Sequence, residues 1–377
     1  MKKTKKLAML VAGFMLLSSG SLTAQQATER LALKAAFADK FAIGTALNLK
    51  QIYEKDSKAK PLIESQFNTI TAENCMKAMY LQPREGEFNF KDADRFVEYG
   101  EKHGMRLIGH TLIWHSQAPS WFFKDKDGKE VSKEVLIERM RKHIHTVLSR
   151  YKGRIKGWDV VNEAILDNGE WRQSKFYQII GEDFVRLAFQ FTHEADPDAE
   201  LYYNDYSMFL EGRRKGVVSM VRKLQEKGAK IDGIGMQGHL NIDYPALSDF
   251  ENSLLAFSAL GVKVMITEME ISVLPAPKQT RGAEVSTHFT YNKQLDPYAK
   301  GLPKDKEMLL GQRYKDFFAL FLKHRDKIDR VTVWGVTDGD SWKNNWPVPG
   351  RTDYPLLFDR NYRPKAFVAD IIDIATK

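Results

Sequence analysis

IKGWDVVNE, residues 155–163, is a short β-rich segment whose apolar centre is followed by two polar residues, Asn162 and Glu163. Isoleucine, tryptophan and valine favour strands, and an apolar run of this length is typical of a buried strand. Seven other segments have the same character: 41–48, 67–74, 105–114, 199–206, 233–240, 263–271 and 330–338. The sequence therefore predicts eight strands.

Longer stretches with helical spacing separate these strands: 132–150, 176–194, 212–227, 246–260, 304–327 and 364–375. The first begins after Ser132, a suitable N-cap. Its apolar stripe comprises Val135, Leu136, Met140, Ile144 and Val147. Strands that alternate with helices pair in parallel, and eight such units can close into a barrel. The predicted fold is therefore a single-domain α/β protein, a (β/α)8 barrel.

An open, doubly wound sheet is the alternative to the barrel. Such a sheet concentrates its chemistry at one switch point, with a glycine-rich phosphate loop after the first strand. The sequence has no GxGxxG motif after 41–48 and no Walker loop. Polar and aromatic residues instead follow almost every predicted strand, which is where a barrel places its active site. This distribution favours the barrel.

Residues 1–24 have the layout of a secretory signal peptide. Four lysines precede an apolar run at 7–17, and small and polar residues lead to Ala24, after which we expect cleavage. A membrane anchor is the alternative, but the run is shorter than the roughly 20 residues that span a bilayer. The sequence thus predicts a catalytic barrel at 25–377 that is secreted or periplasmic, with no membrane span after signal removal.

Composition narrows the expected partners. Loss of the four signal-peptide lysines lowers the formal net charge from +8 to +4, and no basic run remains to favour nucleic acid. The lone Cys75 cannot form an intramolecular disulfide and is expected to be a small buried hydrophobe. The histidines form no HExxH motif. We expect a monomer that needs neither metal nor cofactor.

The longest predicted loop spans 272–303 and contains four prolines and two glycines. A loop of this length in a compact domain is usually functional or disordered. Because it follows the seventh predicted strand, it lies at the face of the barrel that carries the active site. We expect it to form a wall of the cleft.

Two glutamates lie at the ends of predicted strands on opposite sides of the barrel mouth: Glu163 in the fourth and Glu268 in the seventh. Glycoside hydrolysis needs two carboxyl groups that flank the scissile bond. One protonates the leaving oxygen, and the other attacks the sugar carbon or activates water. A single strand-end glutamate is more simply explained as an ion-pair partner. Two at matched depth, one preceded by Asn162, favour a glycosidase.

Seven strand-end segments, in order, resemble those of glycoside hydrolase family 10, the retaining xylanases. They are FNTITAENCMK (67–77), GHTLIWHSQAPSWF (109–122), WDVVNEAI (158–165), YYNDYS (202–207), GIGMQGHL (233–240), ITEMEI (266–271) and VTVWGVTDGDSW (331–342). The resemblance covers essentially the whole mature chain. It implies an endo-1,4-β-xylanase that hydrolyses xylan and xylo-oligosaccharides by double displacement, with Glu163 as acid/base and Glu268 as nucleophile.

By motif position, the resemblance also implies a substrate-binding set around the two glutamates. Asn162 is expected to bind the sugar 2-hydroxyl, and residues after the second strand are expected to bind the next sugar toward the non-reducing end. Two tryptophans would wall the reacting sugar, while residues of the fifth and sixth strands would position the nucleophile or the leaving-group sugar. The set comprises Glu73, Asn74, Lys77, His110, Trp114, Gln117, Asn162, Asn204, Tyr206, Gln237, His239, Trp334 and Trp342.

Several of these residues have plainer interpretations. Lys77 could be only an ion-pair partner of Glu73. His239 is expected to contact the nucleophile, with Glu270 as its acidic partner where the family commonly has aspartate, and the longer side chain could shift the histidine. Three nearby polar residues are expected to be structural: His115, Asp159 and Asp205.

Three other functions stay open. A non-catalytic sugar-binding barrel could keep the cleft, but it is expected to lose one of the glutamates. Another retaining barrel glycosidase, such as a cellulase or mannanase, would share the machinery. The resemblance favours xylose, because the family's walls leave no room for a 6-hydroxymethyl group. A metal-dependent isomerase would need a strand-end cluster of metal ligands that the sequence lacks.

Overall fold

Parallel strands form a closed barrel at the centre of the computed structural model, which describes residues 32–276 and 283–377. β6 pairs with β8 and β9 pairs with β1, so the sheet closes on itself. The (β/α)8 barrel is therefore confirmed. The strands are β1 (Ala42–Leu47), β2 (Thr69–Ala72), β3 (Arg106–Trp114), β4 (Gly157–Asn162), β5 (Glu200–Asp205), β6 (Gly233–Met236), β7 (His239–Asn241), β8 (Lys263–Ser272) and β9 (Ile328–Val333).

Helices connect the strands and cover the barrel. Short 3-10 turns lie at Ser120–Phe122, Lys293–Leu295 and Trp342–Asn344. Within the described ranges the helices are α1 (Leu33–Ala36), α2 (Leu49–Ile52), α3 (Ala59–Gln66), α4 (Ala78–Leu81), α5 (Lys91–Lys102), α6 (Lys133–Tyr151), α7 (Lys175–Ile180), α8 (Asp183–Ala195), α9 (Glu211–Glu226), α10 (Leu247–Ser258), α11 (Lys304–Lys323) and α12 (Phe367–Thr376).

Two sequence predictions fall wholly or partly outside the described residues. The signal peptide at 1–24 lies outside them, and so do residues 277–282 of the long loop. In the part of the chain that the structure describes, no helix is both long and apolar enough to cross a membrane.

Helix α6 shows how local sequence sets an element. The Ser132 hydroxyl accepts a hydrogen bond from the Val135 amide at 3.4 Å, as expected of an N-cap. The stripe of Leu136, Met140 and their successors is buried against the barrel. The prediction is wrong only at Val135, which is 42% exposed. Each residue turns a helix by about 100°, and Val135 therefore points away from the face that Leu136 buries.

Glycines with positive φ divide two predicted elements. The helix predicted at 176–194 is two helices, because Gly181 (φ 87°) ends α7. The sixth strand predicted at 233–240 is broken near Gly238 (φ 82°) into β6 and the short β7. Glycine adopts this left-handed backbone without a Cβ penalty, and such a conformation fits neither a helix interior nor a strand. The barrel still has eight strand positions, because β6 and β7 both pair with β8 and together occupy the sixth position.

The last predicted strand is also displaced. The sequence predicts this strand at 330–338, but β9 begins at Ile328 and ends at Val333. Gly335 (φ 131°) then turns the chain. Trp334 and the residues after it therefore lie in a loop over the barrel mouth, where side chains can enter the cleft.

Two glycines allow large aromatic side chains to pack between neighbouring strands. A Cβ on Gly109 of β3 would lie 2.1 Å from Trp158 Cε3, and one on Gly157 of β4 would lie 2.4 Å from the Tyr202 hydroxyl. Trp158 and Tyr202 are both fully buried. The barrel wall that bears the fourth-strand glutamate is thus held by tight aromatic packing that tolerates no added methyl group.

Replacing Gly109 by alanine is expected to lower the free energy of unfolding by about 1–3 kcal/mol, because the methyl group forces Trp158 out of its packed position. Unfolding in guanidinium chloride measures the change. Gly339→Ala is the matched control, since its Cβ would meet no atom closer than 3.4 Å. Equal stability of Gly109→Ala and the wild type would show that Trp158 does not pack against β3 in this way.

Candidate active site

Side chains from the ends of most strands meet in one cavity at the C-terminal mouth of the barrel. Its volume is about 190 Å³. The predicted site residues all line it except Asn204 and Tyr206. The lining residues are Glu73, Asn74, Lys77, His110, Trp114, Gln117, Asn162, Glu163, Gln237, His239, Glu268, Ala283, Val285, Trp334 and Trp342.

Glu163 occupies an unusual backbone position directly after β4. Its φ of 61° lies in the left-handed region, which costs a non-glycine residue about 1–3 kcal/mol unless the surroundings hold it. The Glu163 amide donates to the Asn204 carbonyl at 2.9 Å, and its own carbonyl accepts from Arg172 Nε, also at 2.9 Å. Both sides of the residue are therefore anchored where its side chain enters the cavity.

Side-chain amides connect the two catalytic candidates. Asn162 Nδ2 donates to Glu163 Oε1 at 3.1 Å, while Asn162 Oδ1 accepts from Asn204 Nδ2 at 3.0 Å. The same Asn204 nitrogen donates to Glu268 Oε1 at 2.8 Å. Gln237 Nε2 also donates to Glu163 Oε1, at 3.0 Å. The two carboxyl groups thus border one space, and Asn204 supports the predicted nucleophile from beneath the cavity.

The environment raises the pKa of Glu163. Burial has the largest effect, and the charge of Asp205 adds to it, so that the pKa reaches about 7. Hydrogen bonds from Gln237 and from Trp114 Nε1 (2.8 Å to Oε2) act in the opposite direction, because they stabilise the ionised form. Asp205, expected to be only structural, contributes more to this shift than Glu268 does. A carboxyl group with this pKa can both donate and accept a proton near neutral pH.

Glu268 is shifted in the other direction. Burial alone would raise its pKa, but the hydrogen bond from His239 and the charges of His110 and His239 outweigh burial and hold the pKa below its ordinary value. His239 Nε2 lies 3.2 Å from Glu268 Oε2. Burial alone would lower the pKa of His239, yet its bonds to Glu268 and Glu270 raise it. At pH values below the raised pKa of Glu163, the site therefore favours a protonated Glu163 beside an ionised Glu268.

Glu270 connects the histidine to the tryptophan wall. Its Oε1 accepts from Trp342 Nε1 at 2.6 Å and lies 2.7 Å from His239 Nδ1, and its Oε2 accepts from the Ser341 hydroxyl at 3.2 Å. The longer side chain has not separated His239 from Glu268. It instead reaches both rings, and the Trp342 ring is further held by stacking on Trp346 at 4.5 Å.

The second-strand residues form a polar corner of the cavity. Lys77 Nζ donates to Asn74 Oδ1 at 2.9 Å, and Asn74 Nδ2 donates to Glu73 Oε1 at 3.2 Å. Lys77 Nζ also lies 5.0 Å from the centre of the Trp114 ring. Burial lowers the pKa of Lys77 and raises that of Glu73. Since Lys77 bonds to Asn74 rather than directly to Glu73, the corner presents donors and acceptors suited to sugar hydroxyls.

Sequence reasoning missed several residues around the cavity. Asp159 was expected to be structural, and its Oδ2 lies 2.9 Å from His110 Nδ1, so it orients a ring that lines the cavity. Ala283 and Val285 line the cavity without any motif to mark them. Arg172, in the loop after β4, bonds to the Glu163 carbonyl. No motif identified it, since a lone arginine in a loop is usually a solvated side chain.

Tyr206 is a predicted site residue that packs among charged side chains. It does not line the cavity, and its hydroxyl accepts from Arg172 Nη2 at 2.8 Å. Its ring lies 4.0 Å from the guanidinium carbon of Arg213. Arg172 and Arg213 hold the tyrosine, which is 5% exposed. Its role in positioning the leaving-group sugar stays a prediction.

The described residues contain neither a metal-binding cluster nor a reactive thiol. No group of three or more histidine, cysteine, aspartate or glutamate residues there is arranged to hold a metal ion. Cys75 is buried, and burial raises the pKa of its thiol to about 12. It is therefore a packed hydrophobic side chain rather than a nucleophile.

The fold and the paired carboxyl groups are those of a barrel glycosidase, and comparisons with known proteins give the family. The family model described as "Glycosyl hydrolase family 10" matches residues 32–374. The chain is 52% identical to Endo-1,4-beta-xylanase A of Xylanibacter ruminicola, over 98% of this chain and 99% of the relative. It is 39% identical to an Endo-1,4-beta-xylanase of Geobacillus stearothermophilus, over 91% and 98% of the two chains.

Solved structures agree. A GH10 endoxylanase retrieved from a sugarcane soil metagenome superposes with a TM-score of 0.88 at 47% identity, covering 91% of this chain and 100% of that one. The chain belongs to glycosyl hydrolase family 10. The resemblance inferred from the strand-end motifs is thereby confirmed.

Replacing Glu270 by glutamine is expected to move the acidic limb of the kcat/KM–pH profile to higher pH. Glutamine keeps an acceptor for Trp342 but removes the charge that favours protonated His239. Once His239 is neutral, Glu268 loses a cationic neighbour and its pKa rises, so it ionises only at higher pH. The basic limb, which follows Glu163, should stay in place. Steady-state kinetics between pH 4 and pH 9 measure both limbs.

Glu251→Gln is the matched control for this profile. Glu251 also bonds to a histidine, with its Oε1 2.6 Å from His324 Nε2, but on the outside of the barrel. An acidic limb that stays unchanged in Glu270→Gln, or that moves equally in Glu251→Gln, would contradict the role given to Glu270.

Proposed function

We propose that the protein is an exported endo-1,4-β-xylanase that cleaves internal bonds of xylan with retention of configuration. Glu163 acts as acid/base and Glu268 as nucleophile. One observation carries the proposal: two buried carboxyl groups share one cavity and one amide network, and their pKa values are shifted in opposite directions. Environments that separate two carboxyl groups in this way define an acid and a nucleophile.

The first step forms the glycosyl-enzyme. Protonated Glu163 gives its proton to the glycosidic oxygen while Glu268 attacks the anomeric carbon, so the C1–O bond breaks as a C1–Glu268 ester forms. Asn162 lines the cavity beside Glu163 and is joined to Glu268 through Asn204. It is suited to bind the 2-hydroxyl, a contact that strengthens as positive charge develops on the sugar. Trp334 and Trp342 line the cavity and would hold the ring in place.

The second step releases the sugar. Ionised Glu163 takes a proton from water, which attacks C1 and breaks the ester to Glu268. Two inversions give net retention. Esterification removes the charge of Glu268, which is one of the influences that raise the pKa of Glu163. The acid/base therefore becomes more acidic at the stage in which it must accept a proton.

Xylan is the proposed substrate because the named relatives are endo-1,4-beta-xylanases. The polar corner of Glu73, Asn74 and Lys77 would bind the next sugar toward the non-reducing end. Export is proposed from the signal-peptide pattern of residues 1–24. A monomer without a cofactor stays a prediction from the sequence.

Hydrolysis of a polysaccharide panel tests the substrate. Reducing-sugar release should be fast on arabinoxylan and at least about a hundredfold slower on carboxymethylcellulose and mannan, because the rejected sugars carry an extra 6-hydroxymethyl group. Preferential hydrolysis of carboxymethylcellulose or mannan would assign a different barrel glycosidase. Binding of arabinoxylan without hydrolysis would assign a sugar-binding barrel.

Replacing Glu163 by alanine tests the mechanism. Activity on xylan should fall by about 10²–10⁴-fold, since both proton transfers are lost. An aryl β-xylobioside needs little acid assistance and should still form the glycosyl-enzyme, which added azide then converts to a β-glycosyl azide. NMR identifies the product. Glu268→Ala is the control, and there azide should give the α-product by single displacement. Full xylan activity in Glu163→Ala would exclude the assigned role.

A further inference from the structure

Arg172 joins three segments that follow three different strands. Its Nη1 donates to Glu284 Oε2 at 2.6 Å, in the loop after β8. Its Nη2 donates to the hydroxyl of Tyr206, which follows β5, and that hydroxyl lies 3.4 Å from Glu284 Oε2. Its Nε donates to the carbonyl of Glu163, at the end of β4. One planar guanidinium group thus satisfies three acceptors, which its rigid fork of donors permits.

The ion pair is sheltered from solvent. The side chain of Arg172 is 12% exposed and that of Glu284 is 32% exposed. Burial alone would raise the pKa of Glu284, but the hydrogen bond and charge of Arg172 lower it to about 2. The pair therefore stays charged across the whole pH range in which a glycosidase works. Such a pair is stronger than one at an open surface.

The pair also fixes part of the cavity wall. Ala283 and Val285, on either side of Glu284 in the chain, line the cavity, and Ala283 is only 2% exposed. The Glu284 carboxylate is held a second time from its own segment, because its Oε1 accepts from the Ser286 hydroxyl at 2.9 Å. This stretch of the long loop is thus tied to the backbone of the acid/base residue.

The leaving-group sugar must lie beside Glu163, because Glu163 protonates the oxygen that this sugar retains. We propose that the Arg172–Glu284 pair is a leaving-group clamp: it fixes the wall of Ala283 and Val285 beside Glu163 and so determines how sugars bind on that side. Both are positioning residues, since neither touches the reacting atoms. The inference rests on the proposed function and adds a specificity determinant to it.

A comparison of two substrates distinguishes an effect on sugar binding at the leaving-group side from an effect on bond cleavage. Xylopentaose places sugars on the leaving-group side, whereas 4-nitrophenyl β-xylobioside has only an aryl group there. In Glu284→Ala the ratio of kcat/KM for xylopentaose to that for the aryl xylobioside should fall about three- to tenfold, mainly through KM, because the loop is released. Glu284→Gln keeps an acceptor and should fall less. The positions at which xylopentaose is cleaved should also shift.

Glu194→Gln is the matched control. Glu194 accepts from Arg141 at 2.6 Å and is 34% exposed, close to the values for Glu284, but it joins helices outside the barrel. Its substrate ratio should equal that of the wild type. Thermal unfolding of each variant shows that the fold is intact. A ratio that is unchanged in Glu284→Ala, or that falls equally in Glu194→Gln, would overturn the clamp.

A double-mutant cycle tests the pairing itself. Arg172→Met should lower the same ratio, and Glu284→Ala should add little in that background, because the partner is already lost. Fully additive losses would show that the two residues act independently and would overturn the clamp. The proposed function is judged separately on the wild type: if it hydrolyses neither substrate, that function fails, whereas an active wild type with unchanged ratios refutes only the clamp.

Discussion

Burial of two carboxyl groups in one hydrogen-bonded cavity is the constraint on which the rest of the site depends. Two negative charges in such a space repel each other and have lost water, so one group is driven toward its neutral form. The protein determines which one by its choice of partners. Glu268 has the His239 ring as a positively charged partner, whereas Glu163 lies near the Asp205 charge and accepts from three uncharged donors, Trp114, Asn162 and Gln237.

This division of roles is supported from outside the cavity. Glu270 holds His239 against Glu268 and at the same time accepts from the indole of Trp342. One carboxylate therefore contacts both the histidine beside Glu268 and a tryptophan of the cavity lining. Asp159 has a comparable position behind His110. Residues outside the cavity lining thus fix the orientation of side chains that line it.

The sequence predicts the barrel and most of the cavity because both depend on short-range pattern. An apolar strand that ends in Asn162 and Glu163 can be recognised from the local sequence alone. Because all strands of the barrel are parallel, their C-terminal ends lie at one face. Backbone breaks at Gly181 and Gly238 are harder to predict, since a glycine permits a positive φ without requiring it. The contact between Arg172 and Glu284 is harder still, because 112 residues separate the two partners and neither belongs to a motif.

Tyr206 shows why motif position alone does not give a side chain's contacts. Its backbone lies directly after β5, where a barrel presents functional groups, yet it is absent from the cavity lining, and two arginines contact its ring and its hydroxyl. Those arginines come from the loop after β4 and from α9, so their arrival depends on loop conformation rather than on strand order. Strand topology determines the position of a residue's backbone, whereas the charged groups around it determine where its side chain lies. The left-handed backbone of Glu163 also depends on a loop residue, because Arg172, which bonds to Tyr206, donates to the Glu163 carbonyl as well. The arrangement around Glu163 consequently depends on the segments after β4, β5 and β8, which meet through Arg172.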